Sequence, residues 1–130
     1  MKIQEFNTIS WNFNINSFDD QEELYDELMA YNLELVNDDK DKLDELIRWN
    51  PFRLVILFSQ VKIATKNDED EDDWVYLSAD NGENFTSLEL LLKVNNLYIE
   101  VFQETQDVFL QSMEILETSE IPELVINCIS

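Results

Sequence analysis

The chain has no histidine, one cysteine, one glycine and two prolines in 130 residues. Each shortage closes a class of chemistry. Without histidine there is no serine or cysteine triad of the usual kind, no imidazole general base and no histidine-built zinc site. A single glycine, Gly82, cannot furnish the phosphate-cradling loops of P-loop or dinucleotide-binding proteins. A single cysteine, Cys128, allows no intramolecular disulfide, in keeping with a reducing compartment. Set among Leu124, Val125, Ile126 and Ile129, Cys128 reads as a small core residue rather than a reactive thiol. No apolar run approaches a membrane span, and residues 1–7 lack a signal-peptide core, so the expectation is a cytoplasmic protein.

Positive charge is scarce as well. Eight lysines and arginines face 29 aspartates and glutamates, for a formal net charge of −21. That excess is uneven. Residues 19–45 carry −10, residues 46–67 carry +4 with no acid at all, and residues 68–89 carry −9. A field of this sign repels nucleic acid and anionic membranes, and it attracts cationic proteins. Hydrophobic residues still make up 45% of the chain and aromatics 12%, unlike a disordered acidic tail, so the chain folds. Its length suits one domain spanning residues 1–130.

Periodicity gives the elements. Ile9, Trp11, Phe13 and Ile15 alternate with Ser10, Asn12, Asn14 and Asn16, a strand with one wet face. Asp19, with Glu22 in capping-box position, opens a helix whose apolar residues are Leu24, Tyr25, Leu28, Tyr31 and Leu35. Its other face holds Glu23, Asp26, Glu27, Ala30 and Glu34. A second helix over 40–49 is capped by Asp38 or Asp39, buries Leu43, Leu46 and Ile47, pairs Asp44 with Arg48 and stops at Asn50-Pro51. The run Arg53–Thr65 reads as a central strand covered on both faces around Leu54–Phe58. Trp74–Leu77 returns from an acidic loop as an antiparallel partner. Thr86-Ser87-Leu88-Glu89 is a capping box with a Phe85–Leu90 staple, opening a helix to about residue 104. Residues 108–116 read as a strand paired with 124–129, although Phe109, Met113 and Leu116 also fit a helix. The order is β-α-α-β-β-α-β-β: an α+β domain with a largely antiparallel sheet of about five strands and helices packed on it.

No cofactor and no metal site is expected. Asp68, Glu69, Asp70, Glu71, Asp72 and Asp73 form an acid run, but counting from Asp68 puts Asp73 at the glycine position of a calcium loop and Ala79 at its bidentate glutamate. A solvated charged loop is the plain reading. Nothing selects a catalytic pair from 29 carboxylates, so the chain reads as a non-enzyme. Aromatics beside acids anchor interfaces with basic partners, which makes Tyr25, Trp49, Trp74 and Tyr76 candidates.

These features point to an acidic binding protein that engages a basic protein surface, either as an immunity-protein-like inhibitor of a nuclease toxin or as a DNA mimic that occupies a nucleic-acid-binding protein. The expected partner-binding residues are Glu23, Asp26, Glu27, the 68–73 acids and Trp74. An alternative is a small acidic chaperone or assembly factor for a basic client, working as a dimer through an apolar groove or its N-terminal strand. A third is an acidic domain whose charge only keeps it soluble, and the acid-free stretch 46–67 counts against that.

Overall fold

The computed structural model describes residues 1–64, 74–103, 106–117 and 120–129. Helix α1 (Gln21–Val36) begins where Asp20, in extended conformation, accepts the Glu23 N–H at 2.9 Å. That N-cap stabilises the helix by about 1 kcal/mol. Asp20 rather than Asp19 takes the cap, because its carboxylate lies three residues before the free amide. α1 ends at Asn37 in the left-handed region (φ 40°), and Asp38 follows at φ 71°. The chain thus reverses, and Asp39 caps α2 (Lys40–Arg48) by accepting from the Asp41 and Lys42 amides at 3.0 and 3.3 Å. α2 packs back on α1, and Tyr25 stacks on Trp49 with ring centroids 6.2 Å apart.

Six strands follow the α+β expectation. β1 (Leu54–Ile56) pairs with β4 (Phe85–Thr86) in a small sheet of two strands. β2 (Gln60–Ala64), β3 (Trp74–Ser78), β5 (Phe109–Leu116) and β6 (Glu123–Ile129) form the main sheet in the order β3-β2-β6-β5. Its pairings are antiparallel except β2 with β6, which meet at Lys62 and Glu123. Strand therefore wins over helix at 108–116, and 124–129 is its partner, because Leu110, Met113 and Ile115 all have core positions in that register. Val61, Ile63 and Leu124 face the same core, which α3 (Ser87–Asn96) covers.

Half of the capping box at α3 forms. Thr86 Oγ1 accepts the Glu89 N–H at 3.2 Å. The Glu89 carboxylate does not return to Thr86; it accepts the Asp80 N–H at 2.8 Å and meets Lys93 Nζ at 3.2 Å. Glu89 is therefore buried, pinning the Gly82 turn to the helix. Phe85 and Leu90 are both fully buried at the staple positions. The helix ends in a π-helical turn, Leu97–Val101.

The opening strand is not built. A 3₁₀ turn, Gln4–Asn7, precedes it, and the segment pairs with β5 through isolated bridges at Lys2–Glu114 and Asn12–Phe109 rather than as a continuous ladder. Its alternation is real up to a point: Ile9, Trp11 and Phe13 are buried, while Ile15 is exposed. Asparagine amides replace the missing ladder. Asn32 of α1 accepts the Ser10 N–H at 2.8 Å and donates to the Ser10 carbonyl at 2.9 Å. Asn96 of α3 does the same for Phe18, at 3.0 and 2.8 Å. Asn95 accepts from Trp11 Nε1 at 3.0 Å and donates to the Asn16 carbonyl at 2.8 Å. An amide offers a donor and an acceptor in one plane, so it can satisfy a residue's N–H and C=O as a neighbouring strand would.

The 53–65 run is also not one central strand. It divides between β1 and β2, which belong to different sheets. On α2 only Leu46 is buried; Leu43 and Ile47 are exposed, since a nine-residue helix on the rim has one turn against α1. Asp44 and Arg48 form no ion pair. On α1, Leu35 is exposed and Asn32 takes the inward position of that turn, drawn in by Ser10.

Candidate binding surfaces

The acids of α1 stand where helical spacing puts them. Leu24, Leu28 and Asn32 turn inward, which leaves Glu22, Glu23, Asp26, Glu27 and Glu34 exposed. Glu23, Asp26 and Glu27 lie at i, i+3 and i+4 on one face. α2 adds Asp41, Asp44 and Glu45, all exposed, after Asp38 and Asp39 in the turn. Among the described residues the ion pairs are Arg53 with Glu5 and Lys93 with Asp80 and Glu89. Among the described residues no carboxylate on α1 or α2 has an ion-pair partner, although Lys40, Lys42 and Arg48 alternate with the acids of α2. Like charges one turn apart repel, so this face weakens the free protein and rewards a cation brought to it.

The other expected site residues do not join this face. The acids Asp68, Glu69, Asp70, Glu71, Asp72 and Asp73 lie outside the described residues. Trp74 starts the edge strand β3 and is half-buried, with Lys62 Nζ 4.5 Å from its ring centroid. α1 packs on α2 and α3, whereas β3 packs on β2, so Trp74 and the helix acids belong to different parts of the fold. Tyr76 is exposed beside Trp74. Trp49 is no anchor: it is buried under Tyr25, and its indole N–H has no hydrogen-bond partner. Cys128 is half-buried, its Sγ 3.5 Å from the Tyr98 hydroxyl. Burial, then that contact with Cys128, pushes the Tyr98 hydroxyl well above its ordinary pKa of 10.0. Tyr31 is raised too, by burial and then by Asp107.

A second surface escaped the sequence reading. Residues 47–58 expose Ile47 (70%), Phe52 (73%), Leu54 (49%), Leu57 (72%) and Phe58 (38%). Beside this strip a groove of about 420 Å³ runs between residues 1–5 and 53–58. Glu5 braces it from below: one carboxylate oxygen meets Arg53 Nε at 2.8 Å and the other accepts the Asn50 N–H at 3.1 Å. Exposed apolar surface on this scale marks an interaction site more often than chance. The available signal was the missing acid. A chain with 29 acids among 130 residues that places none between residues 46 and 67 leaves one region out of its acidic surface, and burial is only one reason for that.

Among the described residues no three acid or thiol side chains converge as metal ligands would. No helix among them is long and apolar enough to cross a membrane. What the two surfaces offer chemically is recognition: carboxylates for cations, and an apolar groove for apolar side chains. Comparison with known proteins found no matching family model, no matching curated protein and no matching solved structure.

Proposed function

We propose that this chain is a non-enzymatic binding protein whose acidic helix face engages a basic protein surface, in the manner of an immunity-protein-like inhibitor or a DNA mimic. One observation carries the reading: Glu22, Glu23, Asp26, Glu27 and Glu34 are exposed together on α1, which holds no base, and none of them has an ion pair among the described residues. A solubilising surface scatters such charges among bases. Here α1 carries these five acids and no base, which focuses the field on its exposed face and accelerates encounter with a cationic cleft.

Capture of basic proteins on the immobilised chain, at low and high salt, tests this. Binding should fall steeply as salt rises, because exposed charges are screened beyond ~10 Å at 0.1 M. The triple variant Glu23→Lys, Asp26→Lys, Glu27→Lys should slow association while leaving the unfolding temperature near the parent value. Salt-independent capture, or an unchanged on-rate in the variant, removes the acid face from the mechanism.

The exposed strip at Phe52, Leu54, Leu57 and Phe58 favours a second reading, an acidic chaperone or assembly factor for a basic client. An inhibitor holds one partner with a matched surface; a chaperone holds several through apolar contact. Capture of many unrelated basic clients, retained at high salt, would select the second.

A further inference from the structure

The groove beside β1 is bounded by two strand edges as well as by apolar side chains. Met1 and Ile115 exchange backbone hydrogen bonds at 2.9 Å, and the Ile3 N–H donates to the Met113 carbonyl at 2.8 Å. Lys2 lies between these pairs, opposite Glu114. In an antiparallel ladder such a residue turns its own N–H and C=O to the far edge. Lys2 therefore directs both groups away from β5, on the groove side, and neither is bonded within the described chain. Across the groove, β1 has β4 along one edge and, among the described residues, no strand along the other. Leu54 and Leu57 line the space between. Edges left open in this way are where a sheet accepts an added strand.

We propose that the groove takes one extended segment of the basic partner, added as a strand between the N-terminal segment and β1. This rests on the basic-partner reading and specifies how that partner is held. The occupant's chemistry follows from charge. A net charge of −21 repels a second copy of the chain and any acidic segment. Among the side chains lining the groove Lys2 and Arg53 balance Glu5 and Glu117, and the Met1 ammonium is turned to the Ile115 carbonyl, so inward apolar side chains meet the apolar wall of Leu54 and Leu57. Lysines or arginines at the alternate, outward positions are drawn by the net charge of the chain and by Glu117 at the groove. The segment is thus apolar at every second residue and basic between, with a rise of ~3.3 Å per residue that spans β1 in about 10 Å.

The probe is a capped octapeptide alternating valine with lysine, titrated into the ¹⁵N-labelled full chain at low salt. Three controls accompany it: glutamate in place of lysine, N-methylation of alternate amides, and the protein variant Leu54→Asp, Leu57→Asp. The lysine peptide should shift the Lys2 and 54–58 amides and slow Lys2 amide exchange at least tenfold. N-methylation and the double variant should each weaken binding at least tenfold. Because N-methylation alters only the peptide, it decides the matter even if the double variant fails to fold. Retained affinity after N-methylation overturns strand addition. Equal binding of the glutamate peptide overturns the basic occupant, and a dimer whose formation protects the 54–58 amides replaces it with a second copy. Shifts confined to α1 overturn the groove while leaving the acid-face reading standing. If neither the peptide nor any cationic protein binds at low salt, the acid-face reading fails with it.

Discussion

Leu54–Phe58 and Leu88–Leu92 are both short runs of mostly large apolar residues, and the fold treats them oppositely. In the second, Leu88, Leu90 and Leu91 are almost wholly buried; in the first, only Ile56 is. Composition does not separate them. Layering does. α3 shares one buried core with Val61, Met113 and Leu124 of the main sheet and packs against α1 and β4, so successive turns find cover in several directions. β1 has a two-residue partner, β4, and stands outside the main sheet. Hydrophobicity sets how strongly a run favours burial, and the layers available decide whether it is granted. A run that is refused and holds no acid leaves an exposed apolar strip on the surface.

The largest test of that contrast is cavity formation. Leu91→Ala should cost about 2–5 kcal/mol, the range for truncating a fully buried leucine, measured by denaturant unfolding. A loss under about 1 kcal/mol would mean α3 is not the core element its burial indicates. Next comes Asn95→Ala, which leaves every apolar side chain in place but strands Trp11 Nε1 and the Asn16 carbonyl. The expected loss is about 1–3 kcal/mol. A smaller, pH-specific effect comes from Tyr98. Its folded pKa is raised above the unfolded value near 10, so the unfolded chain loses its proton first and stability falls as pH climbs through 10. Tyr98→Phe should flatten that alkaline limb, with Tyr31 accounting for what slope remains. Smallest of all is Leu57→Ser, within about 0.5 kcal/mol of the parent because the side chain is already in water. A marked loss there would show that the strip is structural after all and would break the comparison.

Legibility followed how local each cause was. The α1 cap was read one residue early, at Asp19 instead of Asp20, yet its acid face was placed correctly, since helical spacing alone fixes it. The β5–β6 pair was legible less from alternation, which Gln111 breaks, than from the apolar run 124–129 that offers residues 108–116 a partner. The opening strand was not, because the same alternation arises when buried asparagines from α1 and α3 satisfy the backbone of an irregular segment. Those asparagines lie 22 to 84 positions from Ser10, Trp11 and Phe18, and no local pattern encodes them. Of the residues expected to bind a partner, Glu23, Asp26 and Glu27 gather on one face, while Trp74 stands apart on β3 under Lys62.

The amino-acid sequence alone determined the α+β class, the charged face of α1 and the absence of imidazole chemistry, because composition and helical or strand period are local properties. Tertiary structure decided which apolar run is core and which is open. It also decided that Glu89 is buried and Trp49 hidden, and that Met1–Ile3 and β1 face each other across a groove. Burial and edge pairing depend on what the rest of the chain brings alongside, and no segment carries that information by itself.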